Sequence, residues 1–125
     1  DGRWQVVVGC GTRPLESFRV GESVPADPVS WSVMCEQYGA GEILLTSIDR
    51  EGTMQGYDLD LIRAVSEAVS IPVIAHGGCG SYEDMLKAIE AGADAVAAGA
   101  LFQFTDATPR GAAEYLQARG VEVRL

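Results

Sequence analysis

The sequence predicts a parallel α/β fold in which strand–helix units follow one another along a single 125-residue domain. Three observations carry that prediction. Short apolar, β-rich runs alternate with stretches of helical period. Most of the helical stretches open on an Asp, Ser or Thr suited to capping. Glycines stand where strands run out and where helices stop. Right-handed crossovers turn such an order into a parallel sheet with helices outside.

Residues 4–8 are β-rich, 9–14 read as a turn, and 15–26 show no clean period and read as a loop. Asp27-Pro28 is a helix start, with Asp as N-cap and Pro at the first helical position. Trp31, Met34, Cys35 and Tyr38 then recur at i, i+3, i+4 and i+7 and predict one buried face, which Gly39 ends with a left-handed cap. Residues 43–48 form the second strand, and its nearly continuous apolar start suggests cover on both faces. Asp58 caps the next helix, whose inner face is Leu61, Ile62, Val65 and Val69. Residues 72–75 are the third strand, followed by His76-Gly77-Gly78-Cys79-Gly80. Ser81 and Asp84 make a capping-box-like start. Tyr82, Met85, Leu86 and Ile89 carry that helix's apolar stripe, and Gly92 stops it. Residues 94–98 are the fourth strand, ending at Gly99-Ala100. Thr108-Pro109 opens a last helix that Gly120 closes. Four such units cannot close a barrel, which needs eight strands. An open sheet would leave one apolar face and two edges exposed.

The net charge of −9 argues against nucleic acid or an anionic membrane as partner. A phosphorylated small molecule remains compatible, because backbone N–H groups bind phosphate without a basic surface. No apolar run approaches the roughly 20 residues of a membrane span. Cys10, Cys35 and Cys79 are odd in number and widely spaced, with no metal-ligand or CxxC pattern, so free thiols in a reducing, cytoplasmic compartment are expected. Asp1-Gly2-Arg3 has no signal-peptide character and no initiating Met, so a fragment or processed product is expected.

The chemistry is expected where strands end. Gly77-Gly78 and Gly99-Ala100 each follow an apolar strand. Small residues there admit a phosphate to backbone N–H groups, and a helix N-terminus beside them would add favourable dipole charge. Each turn alone reads equally as a tight entry into a helix. Two on consecutive strands match a recurrent phosphate site of βα barrels. Asp49 and Glu51 stand two apart after a strand and could share acid–base work. On spacing alone, a solvated loop with Asp49 paired to Arg50 is the more economical reading. Thr46 and Ser47 either contact a ligand or satisfy the strand end, and with no base near in sequence neither is a nucleophile candidate. His76, the only histidine, is balanced between a structural and a functional role. Cys79 and Cys10 read as small packing residues.

GAGEILLTSIDREGTMQGYDLDLI, IPVIAHGGCGSYEDMLKAIEAGADAVAAGALF and EYLQARGVEVRL together resemble the C-terminal half of the cyclase subunits of imidazole glycerol phosphate synthase. The match is close over residues 39–124 and weaker before. The resemblance implies a C-terminal half of a (βα)8 TIM barrel and a role in histidine biosynthesis. It implies a bis-phosphorylated aminoimidazole carboxamide ribonucleotide as substrate and ammonia from a glutaminase subunit, with no cofactor and no metal. Carried over by position, the phosphate site falls on Gly77, Gly78, Gly99 and Ala100. Thr46 matches a substrate-contacting threonine, and Gly52 and Thr53 the loop after it. Glu51 stands where the family has an aspartate, so its role as a catalytic residue is in question. Its extra methylene moves the carboxylate by about 1.5 Å, a displacement that can cost about 100-fold in rate. His76 and Ala100 each replace a serine beside the phosphate.

The resemblance also implies catalytic aspartates on the first and fifth barrel strands, ahead of this chain, so the chain alone is expected not to turn over. Residues 4–8 correspond to an extra strand after the fifth. Two alternatives stay open: a non-catalytic, phosphate-binding half-barrel that self-assembles, and an amidotransferase paralogue of surface-sugar synthesis. With one sheet face uncovered, a homodimer or higher oligomer is expected.

Overall fold

The computed structural model describes residues 4–9, 11–14 and 27–124. The expected loop over 15–26 and Cys10 lie outside the described residues. The elements run β1 (Val7–Val8), β2 (Arg13–Pro14), α1 (Pro28–Gln37), β3 (Ile43–Thr46), α2 (Leu59–Ala68), β4 (Val73–His76), α3 (Tyr82–Glu90), β5 (Ala95–Val96), α4 (Ala100–Phe104) and α5 (Pro109–Gln117). Strands β3, β4 and β5 form one parallel sheet in that order, as the strand–helix alternation predicts. Among the described residues that sheet has three strands, not four. The β-rich run at 4–8 instead enters a separate antiparallel pair, with Val7 opposite Pro14 and Val8 opposite Arg13. Gly9 at φ +62° and Gly11 at φ +80° bend the chain back between them, which only a short connection between neighbouring strands requires.

The helix starts obey their capping residues. The side chains of Asp27, Asp58, Ser81 and Thr108 accept from the backbone N–H of Ser30, Leu61, Asp84 and Gly111, satisfying donors that the first turn leaves free. Asp58 does more than cap. Its Oδ2 accepts from Trp4 Nε1 at 3.0 Å, tethering the β1–β2 pair to the head of α2.

Register fixes which side chains share a face. Ile43 aligns with Val73, Leu45 with Ala75, and Ala75 with Val96. This face is covered by helices. Leu45, Val73 and Ala75 are buried, packed with Leu61, Ile62 and Val65 of α2, Met85 and Ala88 of α3, and Ala112 and Leu116 of α5. The alternate residues, Leu44 beside Ile74 and Ile74 beside Ala95, lie on the other face, which no helix of the described residues covers. Leu44 is 62% exposed. The two-sided cover inferred from the apolar run 43–45 is therefore absent within the described residues.

Helix α1 departs from its predicted face. Tyr38 is 86% exposed, and the buried residue is Ser32, whose hydroxyl donates to Pro28 O at 2.7 Å. Tyr38 is the C-cap, so it leaves the helical spiral at the point where the i+7 position should have pointed inward.

The start of the sheet is pinned by Asp94. Its N–H donates to Val73 O at 2.9 Å, and its Oδ2 accepts from Val73 N–H at 2.9 Å. No helix of the described residues is long and apolar enough to cross a membrane.

Candidate functional site

The carboxyl ends of β3 and β4 meet because their register sets Thr46 opposite His76. Both side chains rise on the uncovered face. Thr46 Oγ1 and His76 Nδ1 are 3.1 Å apart, within hydrogen-bond distance. The loop after β3 turns back through backbone bonds from Arg50 N–H and Glu51 N–H to Ser47 O. That turn brings Glu51 Oε2 to 3.3 Å from His76 Nε2. The result is a hydroxyl–imidazole–carboxylate chain across three segments. Spacing along the sequence offers Thr46 no base and so excludes it as a nucleophile. In space, His76 Nδ1, thirty positions along the chain, lies within hydrogen-bond distance of Thr46 Oγ1.

Arg50 does not pair with Asp49 as the solvated-loop reading expects. Its Nη1 donates to Gly56 O at 3.3 Å. Glu51 turns to His76, while Asp49 is exposed. Thr53 serves its own loop: its hydroxyl donates to Arg50 O at 2.7 Å and accepts from Gln55 N–H at 3.3 Å.

The two glycine turns adjoin this chain. Gly77 and Gly78, both with φ near +100°, are packed against the β3 loop. A Cβ on Gly77 would lie 2.5 Å from Ser47 O, and one on Gly78 would lie 2.1 Å from Gly56 O. Gly78 also accepts a backbone hydrogen bond from Gly56 N–H at 2.6 Å. Among the described residues, no acceptor faces the N–H groups of Gly77, Gly78, Gly99 or Ala100. These four residues, with Glu51, Gly52 and His76, border one narrow crevice of about 10 Å³. The helix contribution is smaller than the sequence suggests. Helix α3 begins only at Tyr82, and α4, which comes directly after Gly99, has five residues.

A larger cleft of about 630 Å³ runs along the free edge of β3, between the β1–β2 pair and α1, and reaches Thr46 and Ser47. Beneath the glycine turns, Tyr57 and Cys79 are buried side by side. The Tyr57 hydroxyl donates to Ala97 O at 2.8 Å. Burial pushes the Tyr57 phenol far up, with the Cys79 contact adding to it, and burial likewise raises the Cys79 thiol. Both groups stay neutral and act as packing, which agrees with the reading of Cys79. Among the described residues no group of three or more His, Cys, Asp and Glu side chains is arranged to hold a metal ion.

The model of a family described as "Histidine biosynthesis protein" matches residues 5–108. The imidazole glycerol phosphate synthase subunit HisF of Pyrobaculum aerophilum is 53% identical over 104 residues, which cover 83% of this chain and 41% of that protein. The chain thus spans about two fifths of the length of that relative. Among solved structures, a chain of the Amycolatopsis orientalis BexX/CysO complex superposes with a TM-score of 0.57 at 19% identity, covering 78% of this chain and 43% of that one. At that identity the likeness concerns the fold alone.

Proposed function

Because the chain belongs to the histidine biosynthesis protein family, we propose that it forms the C-terminal half of an imidazole glycerol phosphate synthase cyclase subunit and carries the phosphate site of that half. The observation that supports this most directly is the set of four N–H groups, on Gly77, Gly78, Gly99 and Ala100, that face no acceptor among the described residues around one crevice. Buried or crevice-lining donors are normally paired, and free ones on two adjacent strand ends suit an anion. Glu51, Gly52 and His76 border the same crevice, with Thr46 behind His76 and Thr53 next in the loop after Gly52.

In this reading the whole enzyme takes ammonia from a glutaminase subunit, acts on a bis-phosphorylated aminoimidazole carboxamide ribonucleotide, and works in the cytoplasm. This segment supplies one phosphate anchor and the hydroxyl, imidazole and carboxylate beside it. The chain is a single half-barrel unit, and its uncovered face, with Leu44 at 62% exposure, packs against a second half. When the chain is alone, that second half is another copy. An apolar face so exposed is unusual for a stable monomer, and the open sheet edges invite pairing.

Titrating inorganic phosphate into the isotopically labelled chain tests the site. The amide signals of Gly77, Gly78, Gly99 and Ala100 are expected to move together and saturate. Movement confined to other residues would overturn the reading.

A further inference from the structure

The crevice between the two glycine turns holds about 10 Å³, scarcely the room for one water and far too little for a phosphate. One wall is the side chain of Glu51, an anion at the mouth of a site whose free N–H groups suit an anion. Among the described residues, the basic side chain bordering the crevice is His76, and its Nε2 is already engaged by Glu51 Oε2 at 3.3 Å. We propose that Glu51 is the specificity-determining residue of this site: its carboxylate is a displaceable internal occupant, and an incoming phosphate binds by taking His76 Nε2 from it.

The proposal rests on the phosphate reading above and goes beyond it in naming what stands in the way. The parts are suited to an exchange. Glu51 lies on the loop after β3, its side chain is 43% exposed, and among the described residues His76 is its one polar partner. It can therefore swing into water without leaving a buried charge behind. His76 is held from the opposite side by Thr46 Oγ1 at 3.1 Å, and that contact keeps the imidazole aimed at the crevice while its partner changes. Gly77 and Gly78 are locked against Ser47 and Gly56 by backbone contacts, so the donors do not move away when the carboxylate does. An anion that leaves Glu51 in place meets a like charge within a few ångströms, which is repulsive even at a half-exposed site. The consequence is discrimination: a small free anion is held weakly, and a ligand whose other contacts draw Glu51 aside is held firmly.

The test is a phosphate titration at constant ionic strength, following the amides of Gly77, Gly78, Gly99 and Ala100 in the wild-type chain, Glu51→Gln, Glu51→Ala and His76→Gln. Glu51→Gln keeps the shape and removes the charge, and the Kd for phosphate is expected to fall by roughly tenfold, with the same amides moving. Glu51→Ala is expected to bind at least as tightly as Glu51→Gln. In a His76→Gln background, the gain from Glu51→Gln is expected to be smaller than in the wild-type chain, since the exchange with His76 is gone and only the direct repulsion of phosphate remains. Unchanged Kd values in both Glu51 variants, with the same amides moving, would overturn the role of Glu51 and leave the phosphate site intact. No movement of these amides in any of the proteins would overturn the site and the role together.

Discussion

Replacing Gly78 by alanine should cost the fold about 3 kcal/mol, whereas the same change at Gly99 should cost almost nothing. The contrast follows from what surrounds the two Cβ positions. Gly78 has φ +101°, and a Cβ built there meets Gly56 O at 2.1 Å and the Arg50 Cβ at 3.0 Å. The first contact is with backbone and cannot be relieved by turning a side chain. Holding an alanine at that φ costs roughly 1–3 kcal/mol. Moving the β3 loop away stretches the bond from Gly56 N–H to Gly78 O, worth about 1 kcal/mol. Gly99 has φ −121°, a value any residue adopts, and nothing lies within 4 Å of its Cβ. Urea unfolding at fixed protein concentration, followed by the fluorescence of Trp4 and Trp31, is the assay. With a slope of about 2 kcal/mol/M, Gly78→Ala should lower the midpoint by about 1.5 M and Gly99→Ala by less than about 0.3 M. A Gly78→Ala midpoint within about 0.5 M of wild type would refute the close-packing argument. A large loss at Gly99 would refute the reading of that turn as open.

Other outcomes rest on the same contacts. Asp58→Ala removes the cap of α2 and the acceptor of Trp4 Nε1, so stability should drop by about 1–2 kcal/mol and Trp4 emission should shift red in the native state; an unshifted spectrum would mean the β1–β2 pair stays docked without this bond. Met85→Ala, at a site 3% exposed, should cost about 2–5 kcal/mol in chemical denaturation. Stability should fall as the pH rises beyond about 8. The folded state raises the Cys79 thiol above its ordinary 9.0 and the Tyr57 phenol above its ordinary 10.0, so the unfolded chain releases those protons first; a urea midpoint that holds constant from pH 8 to 10.5 would contradict this. Leu44→Lys on the uncovered face should weaken self-association, read as a shift toward the 13.2 kDa species in sedimentation equilibrium at micromolar concentration; a wild-type chain that is monomeric at every concentration would remove the oligomer proposal altogether.

The helix starts are legible in the sequence because capping is local chemistry. Asp27, Asp58, Ser81 and Thr108 each bond an amide three residues on, a relation that spacing alone exposes. The strands are legible in kind and less so in extent. The run 43–48 stops at Thr46, where Ser47 O begins to accept the turn, and the expected 94–98 strand pairs only at Ala95–Val96. The β-rich run at 4–8 enters a hairpin, and alternation cannot say which strand is the partner. At the site, the glycine turns and the strand-end residues can be named individually from sequence, but the Thr46–His76–Glu51 chain cannot. It depends on a register between strands thirty residues apart and on a loop that folds back, and neither leaves a periodic trace. His76 paired across strands with a hydroxyl is the kind of contact that only the parallel alignment reveals.

The reciprocal bonds between Asp94 and Val73 lie at the start of the sheet, at the end away from every residue of the rim. Alignment of β4 with the two-residue β5 is thus set by a side chain at its entrance and owes little to the loops beyond its exit. A slip of one residue would turn Ala75 from the core to the open face, and Asp94 resists that slip without help from the glycine turns. The rim can therefore exchange one side chain for another, a histidine or a glutamate included, while strand order and register stay as they are. In such an architecture novelty accumulates at one end of the sheet and is insulated from the other.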